Sequence, residues 1–362
     1  MTALRSNIFQ EWISDSNEAL CLSLVTPETV ESPVEFHPQF TYPVFGDEEH
    51  IFGYKDLKIK LYYSSGSLIP YLSIASSSQI SQGAKPQDIM KILKPYIPKE
   101  TLFNYDEFAN KIKTEKFKPI GEKIHEYRVD SDVYEYYKCD FETKRFKEYH
   151  SRLQLFLLWY IEGSTFIQPD DRWQFKRNEG VHLVGYCTYY PFYHFPDKIR
   201  MRISQFLILP PYQGQGHGKA LYKYLYEIFS RNPSVVDITV EDPNDSFQDM
   251  RDKQDVQMLL EHDALKNVTP KTFTRNDLKE LMQKFHLCER QAVRCAEILF
   301  LKRVDRWDAK QVKQYRIFVK KRLYKKNREV LEEMEFGDRL NALEQTYDKI
   351  EQDYREIIKN LF

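Results

Sequence analysis

Two short runs near the start of the chain alternate apolar and polar positions: EALCLSLV (18–25) and GYKDLKIKLYY (53–63). That period of two predicts half-buried strands, the second punctuated by Gly66 and Ser67. KPQDIMKILKPYIPKE (85–100) holds a short helical pattern boxed between prolines. In FKEYHSRLQLFLLWYIEG (146–163), Tyr149, Leu153, Phe156, Trp159 and Tyr160 recur at helical spacing, so an amphipathic or buried helix is expected, ending near Gly163. VHLVGYCTYYPFYHF (181–195) and RMRISQFLIL (200–209) read as strands, the second halted by Pro210 and Pro211. KALYKYLYEIF (219–229) puts Leu221, Tyr224, Leu225 and Ile228 on one helical face, and VVDITVEDPND (235–245) is a strand ending in acids and a proline. Strand, turn, helix and strand form a βαβ-like unit. Beyond about residue 263 the pattern is helical, and Leu340, Leu343, Tyr347, Ile350, Tyr354, Ile357 and Leu361 trace a heptad seam that calls for a partner helix.

The 362 residues suffice for two or three domains, and 42% hydrophobic with 30% charged residues marks an ordinary folded protein. A net charge of −1 leaves any electrostatic selectivity to local patches and gives no bulk case for nucleic acid or membrane. Cys21, Cys139, Cys187, Cys288 and Cys295 are scattered, without a Cys-x-x-Cys pair, and read as reduced thiols. The nine histidines show no metal-ligand spacing, so no metal is expected. Arg5 and Glu11 interrupt the apolar core that a secretory signal would need, and no stretch has the length of a membrane span. The expected location is therefore cytoplasm or nucleus.

Candidate chemistry begins at PPYQGQGHGKALY (210–222). A P-loop would require a hydroxyl after Gly218-Lys219, where Ala220 stands. The dinucleotide fingerprint fails as well, because Gly214, Gly216 and Gly218 are evenly spaced. What remains, Gln213-x-x-Gly216-x-Gly218 between strand and helix, resembles the acetyl-CoA pyrophosphate loop of the GNAT superfamily of N-acetyltransferases. The physics suits that role, since small residues let successive N–H groups face a diphosphate at a helix N-terminus. The flanking blocks ISQFLILPPYQGQGHG, DITVEDPND and FGDEEHIFGYKDLKI resemble, in order and spacing, the type B histone acetyltransferase catalytic subunit family.

That resemblance implies an α+β chain with a GNAT fold, a mixed and mostly antiparallel sheet whose central strands splay apart between flanking helices. It divides as residues 1–130, a mixed α/β domain contributing to a histone-tail groove; 131–262, the acetyltransferase domain; and 263–362, a helical extension. It also implies acetyl-CoA as cosubstrate, held by main-chain groups of Phe206, Leu207 and Ile208, by Gln213, Gly214, Gln215, Gly216, His217, Gly218 and Lys219, and by Asn244 and Phe247. A lysine amine, pKa about 10.4, costs about 4.6 kcal/mol to present neutral at pH 7, so the reaction needs a base. Glu241 is the leading candidate, with Asp242 and Glu162 as secondary carboxylates; a helix-capping role competes for Asp242. His217 lies inside the loop and suits packing better than base chemistry. Cys139 and Cys187 have no activating partner nearby in sequence, which favours direct attack by the amine over an acyl-cysteine.

Substrate contacts are expected at the acidic block Asp47, Glu48 and Glu49 and the aromatic step Tyr190, Pro191, Phe192 and Tyr193. The expected partners are the N-terminal tail of histone four and a WD-repeat histone-binding subunit. Within EDPNDSFQDMRDKQD the acids add negative charge. The basic run KKRLYKK (320–326) reads first as a helix face and second as a nuclear localisation signal or a contact for an acidic partner. Two other readings stand beside this one: a GNAT enzyme acting on another protein or a small amine, and a non-catalytic acetyl-CoA-binding or histone-binding scaffold.

Overall fold

In a computed structural model, residues 10–81, 83–167, 174–179 (backbone only) and 182–361 are described; Arg5 and the first residue of the 181–195 run lie outside them. The chain forms two compact units, Met1–Tyr190 with Ser204–His217 and Pro191–Ile203 with Gly218–Phe362.

The first unit opens with a three-stranded sheet. β1 (Leu20–Val25) runs parallel to β2 (Lys58–Ser64), and β3 (Pro70–Ala75) is antiparallel to β2. The alternating runs predicted strands β1 and β2, but not half-buried ones: β1 and the second half of β2 are buried on both faces. A helix that the apolar pattern did not suggest, α1 (Tyr105–Thr114), is capped by Asn104 and buries Phe108 and Ile112 against Tyr71 and Val30. The 85–100 pattern becomes a helix only over Ile89–Leu93, started by the Asp88 carboxylate accepting the Lys91 N–H at 3.0 Å. A second sheet carries β4 (Glu122–Val129), β5 (Asp132–Cys139), β6 (Gln174–Glu179), β7 (Leu183–His194) and β8 (Lys198–Ile208) in that order, the end of β7 from Pro191 and the start of β8 through Ile203 being counted with the second unit. The predicted helix is α2 (Phe146–Tyr160), and its second half is buried on every side, from Leu155 through Tyr160. Each such side chain contributes on the order of 1.5–3 kcal/mol of burial, so α2 is the unit's principal core element.

The second unit holds α3 (His217–Ser230, its first residue belonging to the other unit), β9 (Val235–Val240), α4 (Asp245–Glu261), α5 (Arg275–Phe285), α6 (Glu289–Arg303), α7 (Ala309–Lys326) and α8 (Phe336–Leu361). β9 pairs parallel with the first half of β8, from Ile199–Val235 to Ile203–Val240. The heptad seam finds its partners within the chain: Tyr347, Tyr354 and Ile357 are buried in one core with Cys295, Leu299 and Val319, while Leu340 stays exposed. Fully buried Glu297 is neutralised by a two-pronged bond from Arg322 (2.7 and 2.8 Å) and by the Tyr354 hydroxyl at 2.9 Å. The run 320–326 forms the last turns of α7: Lys321, Lys325 and Lys326 are exposed, Leu323 is buried, and Lys320 and Arg322 are tied to Glu344 and Glu297. Among the described residues no helix is long and apolar enough to cross a membrane.

His150 on α2 is 2% exposed, with the rings of Phe141 and Phe146 centred 5.2 and 5.6 Å away. Burial drives its pKa down to about 4. The native state thus binds fewer protons than the unfolded chain between pH 6.5 and 4, and stability falls as the pH drops through that window, by about 3 kcal/mol in all. Denaturant titrations at stepped pH should show this acid limb, and His150→Leu should flatten it.

Candidate functional site

β8 ends where the Leu209 N–H donates to the Val184 carbonyl at 2.9 Å, and Pro210–Tyr212 then makes one tight turn. The Gln213 side chain folds back to donate to the Ile208 carbonyl at 2.8 Å, and Gln215 does the same to Pro211 at 2.8 Å. Gly214 and Gly216 have φ of +74° and +91°, which side-chain-bearing residues adopt only with strain. A Cβ at either glycine would meet nothing within 4 Å, so the backbone and not crowding demands glycine, and the space over the turn is open. Among the described residues the N–H groups of Gly214, Gln215 and Gly216 have no protein acceptor. Three unused main-chain donors just ahead of the α3 N-terminus make an anion-binding nest, which fits the diphosphate of acetyl-CoA.

His217 closes the turn from below. It is 1% exposed, bonded through Nδ1 to the Tyr127 hydroxyl at 2.8 Å and met edge-on by the Tyr134 ring at 4.5 Å. Burial lowers its pKa. Its side chain is a wedge between the turn and the β4–β5 hairpin, as the packing reading expected. Tyr127 and Tyr134 face each other across the hairpin and together hold His217. Upstream, Leu207 and Ile208 are buried and Phe206 is half-buried. Gly185 on β7 lies so close to β8 that a Cβ there would stand 2.3 Å from the Leu207 carbonyl oxygen.

Elsewhere in this unit Glu162 lies exposed on the turn after α2, and Cys139 and Cys187 are buried. The acidic block divides. Asp47 and Glu48 are exposed, whereas the Glu49 carboxylate accepts the Thr41 and Tyr42 N–H groups and the Asn17 amide. Burial raises the Glu49 pKa, but those bonds outweigh it and hold the group below the ordinary value. Glu49 is thus a structural clamp, and only its two neighbours are offered to solvent. Tyr190 is half-buried at the end of this unit.

In the second unit, Glu241 is exposed just past β9, its N–H donating to the Ile203 carbonyl at 2.9 Å. Asp242 follows with φ +36°, also exposed. The cap of α4 is Asn244, which accepts the Phe247 N–H at 2.9 Å, so the capping role weighed for Asp242 belongs to Asn244 instead. Phe247 meets Tyr222 edge-on at 6.1 Å. Gly218 and Lys219 fall in the first turn of α3, and Lys219 lines a cavity of about 490 Å³ with Lys223, Tyr226, Met258 and Phe285. Pro191, Phe192 and Tyr193 are exposed, with the Arg202 guanidinium 4.9 Å from the Phe192 ring centre; Phe195, 79% exposed, extends that aromatic step beyond the predicted residues. The negative charge expected along 241–255 is smaller than its sequence suggests, because Asp252 and Asp255 are buried and paired with arginines. Among the described residues no group of three or more His, Cys, Asp or Glu side chains is placed to share a metal ion.

Residues 12–162 match the family described as histone acetyl transferase HAT1 N-terminus, and residues 131–250 match the acetyltransferase (GNAT) family. A Cryptococcus neoformans protein named histone acetyltransferase type B catalytic subunit is 37% identical, covering 98% of this chain and 99% of its own. Proteins of the same name from Homo sapiens (35%, covering 97% and 94%) and Mycosarcoma maydis (33%, covering 96% and 88%) are also similar. The chain belongs to the histone acetyltransferase type B catalytic subunit family. It is an acetyltransferase with a GNAT fold, an N-terminal domain and a helical C-terminal region, as the flanking blocks implied. GNAT enzymes use acetyl-CoA.

Two kinds of glycine should respond differently. Gly185→Ala forces β7 and β8 apart and should cost about 1–3 kcal/mol in denaturant unfolding. Gly216→Ala has room for its methyl group but a strained φ, so it should cost about 1–2 kcal/mol, and isothermal calorimetry should show acetyl-CoA binding weakened about tenfold or more.

Proposed function

We propose that this chain transfers acetyl from acetyl-CoA to lysine ε-amines in the N-terminal tail of newly synthesised histone four, before deposition in chromatin. The observation that carries the reading is the left-handed glycine turn after β8, with three main-chain donors left for an anion. The names of the full-length relatives support a histone as substrate. Exposed Asp47 and Glu48 suit a basic tail, and exposed Phe192 and Tyr193 suit its aliphatic lysine stems. A WD-repeat histone-binding subunit is the proposed partner, and cytoplasm and nucleus the proposed locations.

Acetyl-CoA supplies an activated thioester: as the lysine nitrogen bonds to the acetyl carbon, the carbon–sulfur bond breaks and the thiol departs. The chain's own work is to hold the donor and to take the proton that the nitrogen must lose. Main-chain groups of Phe206–Ile208 and the 213–219 segment are assigned the holding, with Asn244 and Phe247. Glu241 is assigned the proton; its backbone is fixed by the Ile203 carbonyl, so the carboxylate is presented from a defined point. Asp242 and Glu162, both exposed, are the alternates.

Incubation with acetyl-CoA and either a basic histone-tail peptide or a neutral peptide, read by mass spectrometry, tests substrate and reaction together. Acetylation of lysine in the basic peptide alone is expected, and equal rates on both would sink the histone assignment. Glu241→Gln should lower kcat by about 100-fold or more while the Kd for acetyl-CoA holds. Replacing Asp47 and Glu48 together by lysine should raise KM for the basic peptide several-fold at low salt and little at 1 M salt, where charges about 3 Å apart or more are screened.

A further inference from the structure

The second unit buries an arginine that none of these roles uses. Arg251 on α4 is 4% exposed, and its guanidinium reaches three groups. Nη2 donates to the Ile238 carbonyl on β9 at 2.9 Å, Nε donates to the Tyr222 hydroxyl at 3.2 Å, and the Asp255 carboxylate lies 3.4 Å from Nε. Asp255 in turn accepts from the Tyr222 hydroxyl and from Gln291, both at 2.9 Å. Gln291 also donates to Asp252, which Arg294 binds as well. This cluster fixes α4 against α6 and α3, with Arg251 as its arm to the strand.

The Ile238 carbonyl is a telling place for that arm to end. Ile238 also donates its N–H to the His286 carbonyl at 2.9 Å, so its main chain is held on the edge of β9 away from β8. Three residues later comes Glu241, its own N–H bound to Ile203. The chain then turns sharply through Asp242 at φ +36°, passes Pro243 with its fixed φ, and enters α4 at the Asn244 cap. Seven residues into that helix Arg251 reaches back to Ile238. Strand, turn, helix and guanidinium close a ring of main chain, and Glu241 sits on it.

A buried ion pair adds little net stability over well-packed hydrocarbon, so stability alone does not account for Arg251. What a guanidinium offers that hydrocarbon cannot is a rigid fork of donors with fixed directions. We infer that Arg251 is a positioning residue for the proposed base: by binding the Ile238 carbonyl it closes the 238–251 segment and sets where the Glu241 carboxylate is presented. The inference rests on the assignment of Glu241. It also makes the helical C-terminal region part of the catalytic apparatus, because Gln291 and Arg294 of α6 hold the carboxylates that hold Arg251.

Two variants test it. Arg251→Lys keeps the charge beside Asp255 but lacks the fork that reaches both Tyr222 and Ile238. Arg251→Met combined with Asp255→Leu removes the pair together and strands no buried charge. Each should leave KM for acetyl-CoA within about twofold, retain a cooperative melt, and lower kcat by about tenfold or more, as a misplaced catalytic group does. The deciding measurement repeats both in a Glu241→Gln background. If Arg251 acts through Glu241, its replacement there should lower kcat no further. A further tenfold fall in that background, or wild-type kcat in the folded single variants, overturns the inference. Wild-type kcat for Glu241→Gln alone overturns instead the assignment of the base. If the double replacement does not fold, Arg251→Lys carries the same cycle.

Discussion

The structure depends on the need of every main-chain N–H and C=O to find a partner once it leaves water. β8 is hydrogen-bonded to β7 on one side, and on the other its partners change along its length. Its first half pairs with parallel β9, and that ladder ends at Ile203–Val240 with β8 running five residues further. In the continuing stretch, side chains take over part of the work: the Thr188 hydroxyl accepts the Gln205 N–H at 3.0 Å, and the Gln213 amide covers the Ile208 carbonyl. After the strand, glycines at left-handed φ turn the chain so that, among the described residues, three N–H groups have no protein acceptor. A ligand with anionic oxygens answers that deficit, and the sequence around it supplies no carboxylate that would compete.

The second unit settles the same constraint with charge. Arg251, Asp252, Asp255 and Glu297 are buried, and each is paired: Arg251 with Asp255, Asp252 with Arg294, Glu297 with Arg322. Burying one such charge alone would cost several kcal/mol, so the cluster forms as a set or not at all. That condition ties α4, α6, α7 and α8 into one arrangement and gives β9 a fixed edge. It is directional, where hydrophobic packing of the same helices would tolerate small slides.

How much of this was legible follows from what a pattern can encode. The α2 helix and strands β1 and β2 were plain because burial on one side or all sides leaves a period in the apolar residues. The turn was plain because few residues but glycine accept φ near +90°. The heptad seam calls for a partner, but a period cannot say whether that partner is another chain; Tyr347, Tyr354 and Ile357 find it in their own. The β4–β5 hairpin leaves no such period, because half of its strand residues are exposed and the buried ones, Tyr136 and Cys139, fall only on β5. Glu49 looks like Asp47 and Glu48 in a sequence, and only the fold brings Thr41, Tyr42 and Asn17 to it. Asp252 and Asp255 mislead in the same way, since a buried paired acid and a solvated one are written with the same letter.

The division of labour between main chain and side chain also limits how the site can vary. In the proposed site N–H groups do the holding, so side chains at Gln215 or Lys219 are free to change more than the φ values at Gly214 and Gly216. Proton removal has the opposite character, because a carboxylate at one point is required and backbone groups cannot replace it. Placing that point takes distant help. Glu241 lies on a four-residue link between β9 and α4, and a link that short has few conformations once both ends are tied. One end is tied by the ladder to β8, the other by the Asn244 cap, and Arg251 spans the two. Rigidity of the link that carries the proposed base is therefore shared with the helices behind it, through Arg251 and the carboxylates that α6 holds.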